Sequence, residues 1–277
     1  MTIETRSLGR TGIRVPSLGL GCATFGREID EKTSFAIMDY AVEQGIYLFD
    51  TAEAYGGGQA RESRKKRLGI DDRREVSDEF HSSEKIVGRW LRSRSARNQI
   101  VLVSKILDDF YAEHVREALH QSLERLQTDF LDLYLFHKFD PKVPLDESLT
   151  AMQETRHSHL IRAAGCSNFS AAQLREALDL SERLGIERLE VTETIYNLID
   201  REAEKEILPL CRERTLGFFG YSPLAAGFLT GKYSRDNIAK NTHQSQETAA
   251  PHTRFDVVPD YQKMYFQDEK FRAVEDL

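Results

Sequence analysis

Short apolar runs alternate with longer stretches of helical periodicity along most of the chain. The opening segments IETRSL and IRVPSL, joined by GRTG, read as a hairpin, and LGLG at 18–21 is the first candidate buried strand. EKTSFAIMDYAVEQG then carries apolar residues at helical spacing and stops at Gly45, a suitable C-terminal cap. IYLF, IVLVS, FLDLYLF, LIRAAG, LEVTETIY and LGFFGY read as further strands. Between them SSEKIVGRWL, AEHVREALHQSLERL, LDESLTAMQETR, SAAQLREALDLSERL and REAEKEILPLCRER read as helices. Strands separated by helices of this length indicate parallel βαβ units with right-handed crossovers. Counting from LGLG gives seven strands, one short of a closed eight-stranded barrel. Residues 232–267 look polar and irregular, and DEKFRAVEDL starts a helix. The pattern therefore predicts a (β/α)8 TIM barrel with an N-terminal β-hairpin, as a single domain over 1–277, with the C-terminal β/α unit missing from this chain.

Composition narrows the function classes. With 277 residues, 40% hydrophobic and 30% charged, the chain has the material for a substantial core. A net charge of -7, with basic residues scattered among acids, argues against nucleic acid or anionic membrane as a partner. No signal-like apolar segment opens the chain and no run approaches the roughly 18 apolar residues of a membrane span, so a cytoplasmic protein is expected. Cys22, Cys166 and Cys211 are too dispersed for a disulfide framework or a zinc site. Residues 59–81, dense in both charge signs, read as a solvated loop or exposed helix, with a functional lid as the alternative.

In a parallel barrel, reactive groups gather at the C-terminal ends of the strands. Here IYLFD ends in Asp50, IVLVSK in Lys105, LDLYLFH in His137 and IRAAGCSN in Ser167 and Asn168, while Tyr55 lies five residues beyond Asp50. Each has an ordinary structural reading: a snorkelling lysine, a helix-capping aspartate, a satisfied histidine. Their coincidence on one face points to chemistry instead, because a buried Asp–Lys pair is a weak stabilising device.

FDTAEAYG, VSK, LYLFH, GCSNFS and GYSPLAAGFLTGKY, in this order, resemble the successive signatures of the aldo-keto reductases, and LGRTGIRVPSLGLG is similar to that family's hairpin and first strand. The resemblance implies NAD(P)H-dependent, reversible reduction of a small aldehyde or ketone, by a monomer or weak homo-oligomer that uses no metal. It makes Asp50, Tyr55, Lys105 and His137 the catalytic residues. Tyr55 would donate the proton, with Lys105 lowering its pKa, Asp50 keeping Lys105 charged, and His137 orienting the carbonyl oxygen. The implied cofactor is NADP, NADPH being favoured over NADH. Ser167 and Asn168 would meet its carboxamide and Tyr221 its ring, while Ser222, Leu224, Gly227 and Leu229 would wrap the pyrophosphate. Gly21 and Cys22, with Asp50, would lie beside the nicotinamide ribose, and the glycines at 56–58 would let the chain turn beside a ligand.

Three departures from the family pattern stand out. Residues 59–81 intervene between the tyrosine turn and SSEKIVGR, which places them at the expected substrate entrance. Glu193 occupies a cofactor-binding position where the family commonly has glutamine, and an ionised carboxylate cannot donate to the carboxamide oxygen. The family's eighth strand, basic phosphate-gripping segment and final helix do not follow. Two other functions remain open: an aldolase using Lys105 as a Schiff-base nucleophile, and a nicotinamide-binding regulatory subunit.

Overall fold

The near-continuous apolar runs form one parallel sheet in the computed structural model, which describes residues 3–72, 74–234 and 254–277. Its seven strands lie side by side in chain order: β3 (Leu20–Gly21), β4 (Leu48–Asp50), β5 (Val101–Ile106), β6 (Leu131–Phe136), β7 (Ile161–Ser167), β8 (Val191–Ile195) and β9 (Gly217–Tyr221). Two short strands, β1 (Thr5–Ser7) and β2 (Arg14–Pro16), pair antiparallel as the expected hairpin. The register sets the site. Gly21 pairs with Asp50, Lys105 with Leu135, Ser167 with Glu193 and Ile195 with Tyr221, so most of the chemistry-bearing residues lie at or near the C-terminal ends of their strands, with Glu193 in the middle of β8.

Both faces of the sheet are buried, which is why its strands show little alternation in sequence. Leu48, Val101, Val103, Leu133, Leu135, Ala163 and Val191 fill the interior, and Leu8, Ile13 and Val15 of the hairpin close it from the N-terminal end. Leu102, Tyr134, Phe136 and Cys166 point outward into the helical layer. Gly9 makes the plug possible: its φ is +52°, and a Cβ there would stand 2.7 Å from the Gly217 amide nitrogen.

The helical layer comprises α1 (Glu31–Glu43), α2 (Gln59–Leu68), α3 (Ser82–Arg94), α4 (Ala112–Leu126), α5 (Leu145–His157), α6 (Ala171–Leu184) and α7 (Ile207–Arg214). Asp30 caps α1 by accepting from the Thr33 amide, and Ser170 with Gln173 forms a capping box on α6. The segment REAEKEILPLCRER, expected as one helix, breaks into a single turn at Glu202–Glu204 and α7. Pro209 explains the break, since a proline is tolerated within the first turn of a helix and not in its interior. Trp90 is buried on α3, packed on Phe49 with ring centroids 5.3 Å apart and donating to Asp39.

The expectation that residues 232–267 are irregular is corrected where they are described. Helices form at Arg254–Val257 and Pro259–Tyr265, followed by Asp268–Glu275; residues 235–253 lie outside the described residues. These helices are too short to persist alone, and they are organised by an aromatic cluster in which Phe228 meets Phe255, Tyr265 and Phe271. Among the described residues no eighth strand joins the sheet, so the barrel is nearly closed and the outer edges of β3 and β9 flank a cleft of about 660 Å³. No described helix is long and apolar enough to cross a membrane.

Candidate active site

Lys105, projecting from β5, is fully buried. Its ammonium donates to Asp50 Oδ1 at 2.5 Å, to the Thr51 carbonyl at 3.1 Å and to the Tyr55 hydroxyl at 3.3 Å. Glu193 Oε2 stands 3.3 Å away on the other side, at ion-pair distance but without a hydrogen-bond partner. The His137 ring meets the Tyr55 ring edge-on, centroids 5.4 Å apart, and its Nδ1 is buried with no partner. Five side chains, from β4, β5, β8, the residue after β6 and the loop after β4, therefore converge on one spot at the barrel mouth.

The electrostatics of the spot are those of two carboxylates around one ammonium. Burial works against the Lys105 charge, but Asp50, Glu193 and Tyr55 outweigh it and hold the pKa well above the ordinary lysine value. Burial raises the Asp50 carboxyl despite Lys105, and burial together with the Asp50 charge pushes Glu193 up to about 7. Burial also raises the Tyr55 phenol; Lys105 pulls it down, while Asp50 and Glu193 push it up, and the net direction is upward. Lys105 therefore lowers the phenol's pKa as expected, but in the free protein burial outweighs it, with Asp50 and Glu193 adding to the rise. His137 is driven down to about 3 by burial and by the charges of Lys105 and Lys138, so its imidazole is neutral at physiological pH.

Residues 17–275 match the sequence profile of the Aldo/keto reductase family. The chain belongs to that family. It is 34% identical over 264 residues to the "Uncharacterized oxidoreductase YrpG" of Bacillus subtilis, covering 90% of this chain and 75% of that protein. It is also 34% identical over 247 residues to "Aldo-keto reductase YhdN" of the same organism, covering 84% of this chain and 66% of that one. A third relative, at 31% over 256 residues, is a "Probable voltage-gated potassium channel subunit beta" of Oryza sativa subsp. japonica, with 88% and 71% covered.

The other predicted positions of this aldo/keto reductase differ in how they are engaged. Tyr221 is half-buried and donates through its hydroxyl to Asn168 Oδ1 at 2.8 Å, which fixes the ring as a platform beside the cleft. Asn168, at φ +59°, donates to the His137 carbonyl and to Ser167 Oγ, so it braces β6, β7 and β9 against one another. Gly21 is exposed at the cleft, where a Cβ would meet nothing within 4 Å. Cys22 is buried with its thiol in the outer core, as is Cys166. After β9 the backbone takes positive φ at Ser222, Ala225, Ala226 and Gly227. The amides of Gly227 and Leu229 both donate to the Leu224 carbonyl inside this turn, and Leu224 itself is exposed.

The glycines at 56–58 face protein. A Cβ on Gly56 would meet Ser82 Oγ at 2.2 Å, one on Gly57 the Ser77 carbonyl at 2.2 Å, and one on Gly58 the Asp78 carbonyl at 2.7 Å. Positive φ at Gly56 and Gly58 makes the expected turn, and the missing side chains let residues 77–83 close over it, where Ser82 Oγ accepts from the Gly57 amide at 2.9 Å. Gln59 and His81 then hold the loop that carries Tyr55. Gln59 Nε2 donates to the carbonyls of Glu53 and Tyr55, its Oε1 accepts from the His81 amide, and His81 Nδ1 lies 2.5 Å from the Glu53 carbonyl. Nothing in the sequence marks either residue, because both act on backbone carbonyls.

Proposed function

We propose that this aldo/keto reductase catalyses NADPH-dependent reduction of an aldehyde or ketone to the alcohol, and the reverse oxidation, with Tyr55 as general acid. The observation that carries the reading is the contact of the Tyr55 hydroxyl with the buried Lys105 ammonium, beside a neutral His137 whose Nδ1 is unsatisfied. The residues present fit a nicotinamide: the Tyr221 ring is held at the cleft, which also reaches Gly21, Asp50 and Glu193. When bound, NADPH would supply a hydride for the carbonyl carbon. Tyr55 gives its proton to the carbonyl oxygen as that oxygen gains the bond's electron pair, and solvent returns a proton to the phenolate. Lys105 stabilises the phenolate so formed, Asp50 and the Thr51 carbonyl fix the ammonium, and His137 orients the oxygen.

Lys105 is poorly suited to the alternative Schiff-base role, since that chemistry needs a neutral amine and its neighbours hold it charged. A regulatory, nicotinamide-binding role is favoured by one observation, the similarity to a potassium channel β subunit. The two surviving readings separate in a single experiment: fluorescence titration with NADPH and NADH, then NADPH consumption with a panel of carbonyls. Turnover that falls about 10²- to 10⁴-fold in Tyr55→Phe, with cofactor binding intact, supports the reductase. Tight binding without turnover of any carbonyl supports the regulatory role.

A further inference from the structure

Glu193 is 3% exposed in the middle of β8, and one of its oxygens has no hydrogen-bond partner. As a stabilising partner for Lys105 it is redundant, because Asp50 already contacts the ammonium at 2.5 Å. A second buried carboxylate there costs desolvation and repels the first, while leaving a donor-hungry oxygen aimed at the ammonium from 3.3 Å. The groups facing it from neighbouring elements are Asp50 at the end of β4, Tyr55 in the following loop, Lys105 on β5, Cys166 on β7 and Tyr221 on β9. Lys105 is the one cation among them, and Asp50, Glu193 and Tyr55 compete for it.

We propose that Glu193 is a positioning residue acting on Tyr55 through Lys105: protonated, it leaves the ammonium to Asp50 and Tyr55; ionised, it draws that charge away and holds the Tyr55 proton in place. The sign follows from electrostatics. A phenolate forms beside Lys105 only as far as the ammonium is not already neutralised, so each added carboxylate makes Tyr55 a weaker acid. Glu193 is pushed up to about 7 by burial and by Asp50, which puts the change of state near neutral pH. Proton donation to a carbonyl is then easier below that pH than above it. The kinetic consequence rests on the proposed carbonyl reduction; the coupling between Glu193, Lys105 and Tyr55 does not.

The test is 13C NMR of protein labelled at tyrosine Cζ, with the Tyr55 signal identified by its loss in Tyr55→Phe. In the wild type the Tyr55 signal is expected to shift with an inflection near pH 7, before its own ionisation, and Glu193→Gln should abolish the inflection and lower the ionisation midpoint. In kinetics, the wild-type kcat/KM for reduction should drop about threefold through pH 7, roughly the effect of a one-unit weaker acid at half-completed proton transfer, and Glu193→Gln should remove the drop. A folded Glu193→Gln protein with an unchanged Tyr55 midpoint overturns the proposal. So does a wild-type signal with no inflection near neutral pH, which keeps the test decisive if the variant does not fold. A lowered midpoint without turnover of any carbonyl supports the coupling and sinks the reductase reading instead.

Discussion

Lys105 carries the organisation of the site because three hydrogen bonds and two carboxylates meet at one buried nitrogen. Its neighbours therefore titrate as a group, and Glu193 leaves a thermodynamic signature. A carboxyl whose folded pKa lies above its ordinary value binds its proton more tightly in the folded state. The stability this contributes is complete below about pH 4.5 and is lost as pH rises through about 7. Over that window Glu193→Gln, which does not titrate, should gain on the wild type by up to about 3 kcal/mol and then hold a constant advantage. Urea denaturation at pH 4.5, 6 and 8 measures the difference; an advantage that shrinks with rising pH contradicts the assignment. The strand-end residues were legible in sequence because a polar group closing an apolar run is conspicuous. The upward shift of Tyr55 was not, since it comes first from burial and then from the acids Asp50 and Glu193, and both depend on strands far apart in the chain.

At the level of elements, α2 and the turn after it form an excursion rather than a structural member. None of the helix's residues is buried, and the chain leaves and returns at adjacent points, the Gly58 amide donating to the Ser77 carbonyl at 3.2 Å. The excursion is held by charge. Arg64 contacts Asp72 and Glu75, Arg74 contacts Asp72 and Glu28, and the Val76 amide donates to the Arg27 carbonyl. Replacing residues 61–76 by a short Gly-Ser linker should preserve the fold, because little apolar area is lost, while Gln59 still holds the Tyr55 loop. The expected result is a melting point within a few degrees of the wild type and a several-fold change in KM for carbonyl substrates, with kcat less affected. Unaltered KM across a substrate panel would make the excursion inert surface. Most elements could be placed from apolar spacing alone, α4 to the residue. The failures came where tertiary contacts decide: at Pro209, and in the aromatic helices that depend on Phe228.

The whole molecule is a sheet whose middle and edges differ sharply in protection. β5 and β6 are buried along their entire length and paired on both sides, whereas β9 pairs only with β8 among the described strands. In a parallel ladder, alternate residues turn their amides to opposite neighbours. The Gly217 amide donates to the Glu190 carbonyl, so Phe218 and Gly220 turn theirs toward the cleft beside β3. Local opening needs least energy where backbone bonds face solvent and apolar contacts are few. Amide hydrogen exchange should therefore be slowest at Val103 and Leu133, and faster by orders of magnitude at Phe218 and Gly220. The cleft also reaches Gly21, Asp50, Glu193 and Tyr221, so a nicotinamide bound there would order the same edge. Saturating NADPH is expected to slow exchange in β9 and around Ser222 while leaving β5 and β6 unchanged. Protection confined to the hairpin end, where Arg10, Glu190 and Arg214 line a separate cavity of about 630 Å³, would place the cofactor at the wrong mouth of the barrel.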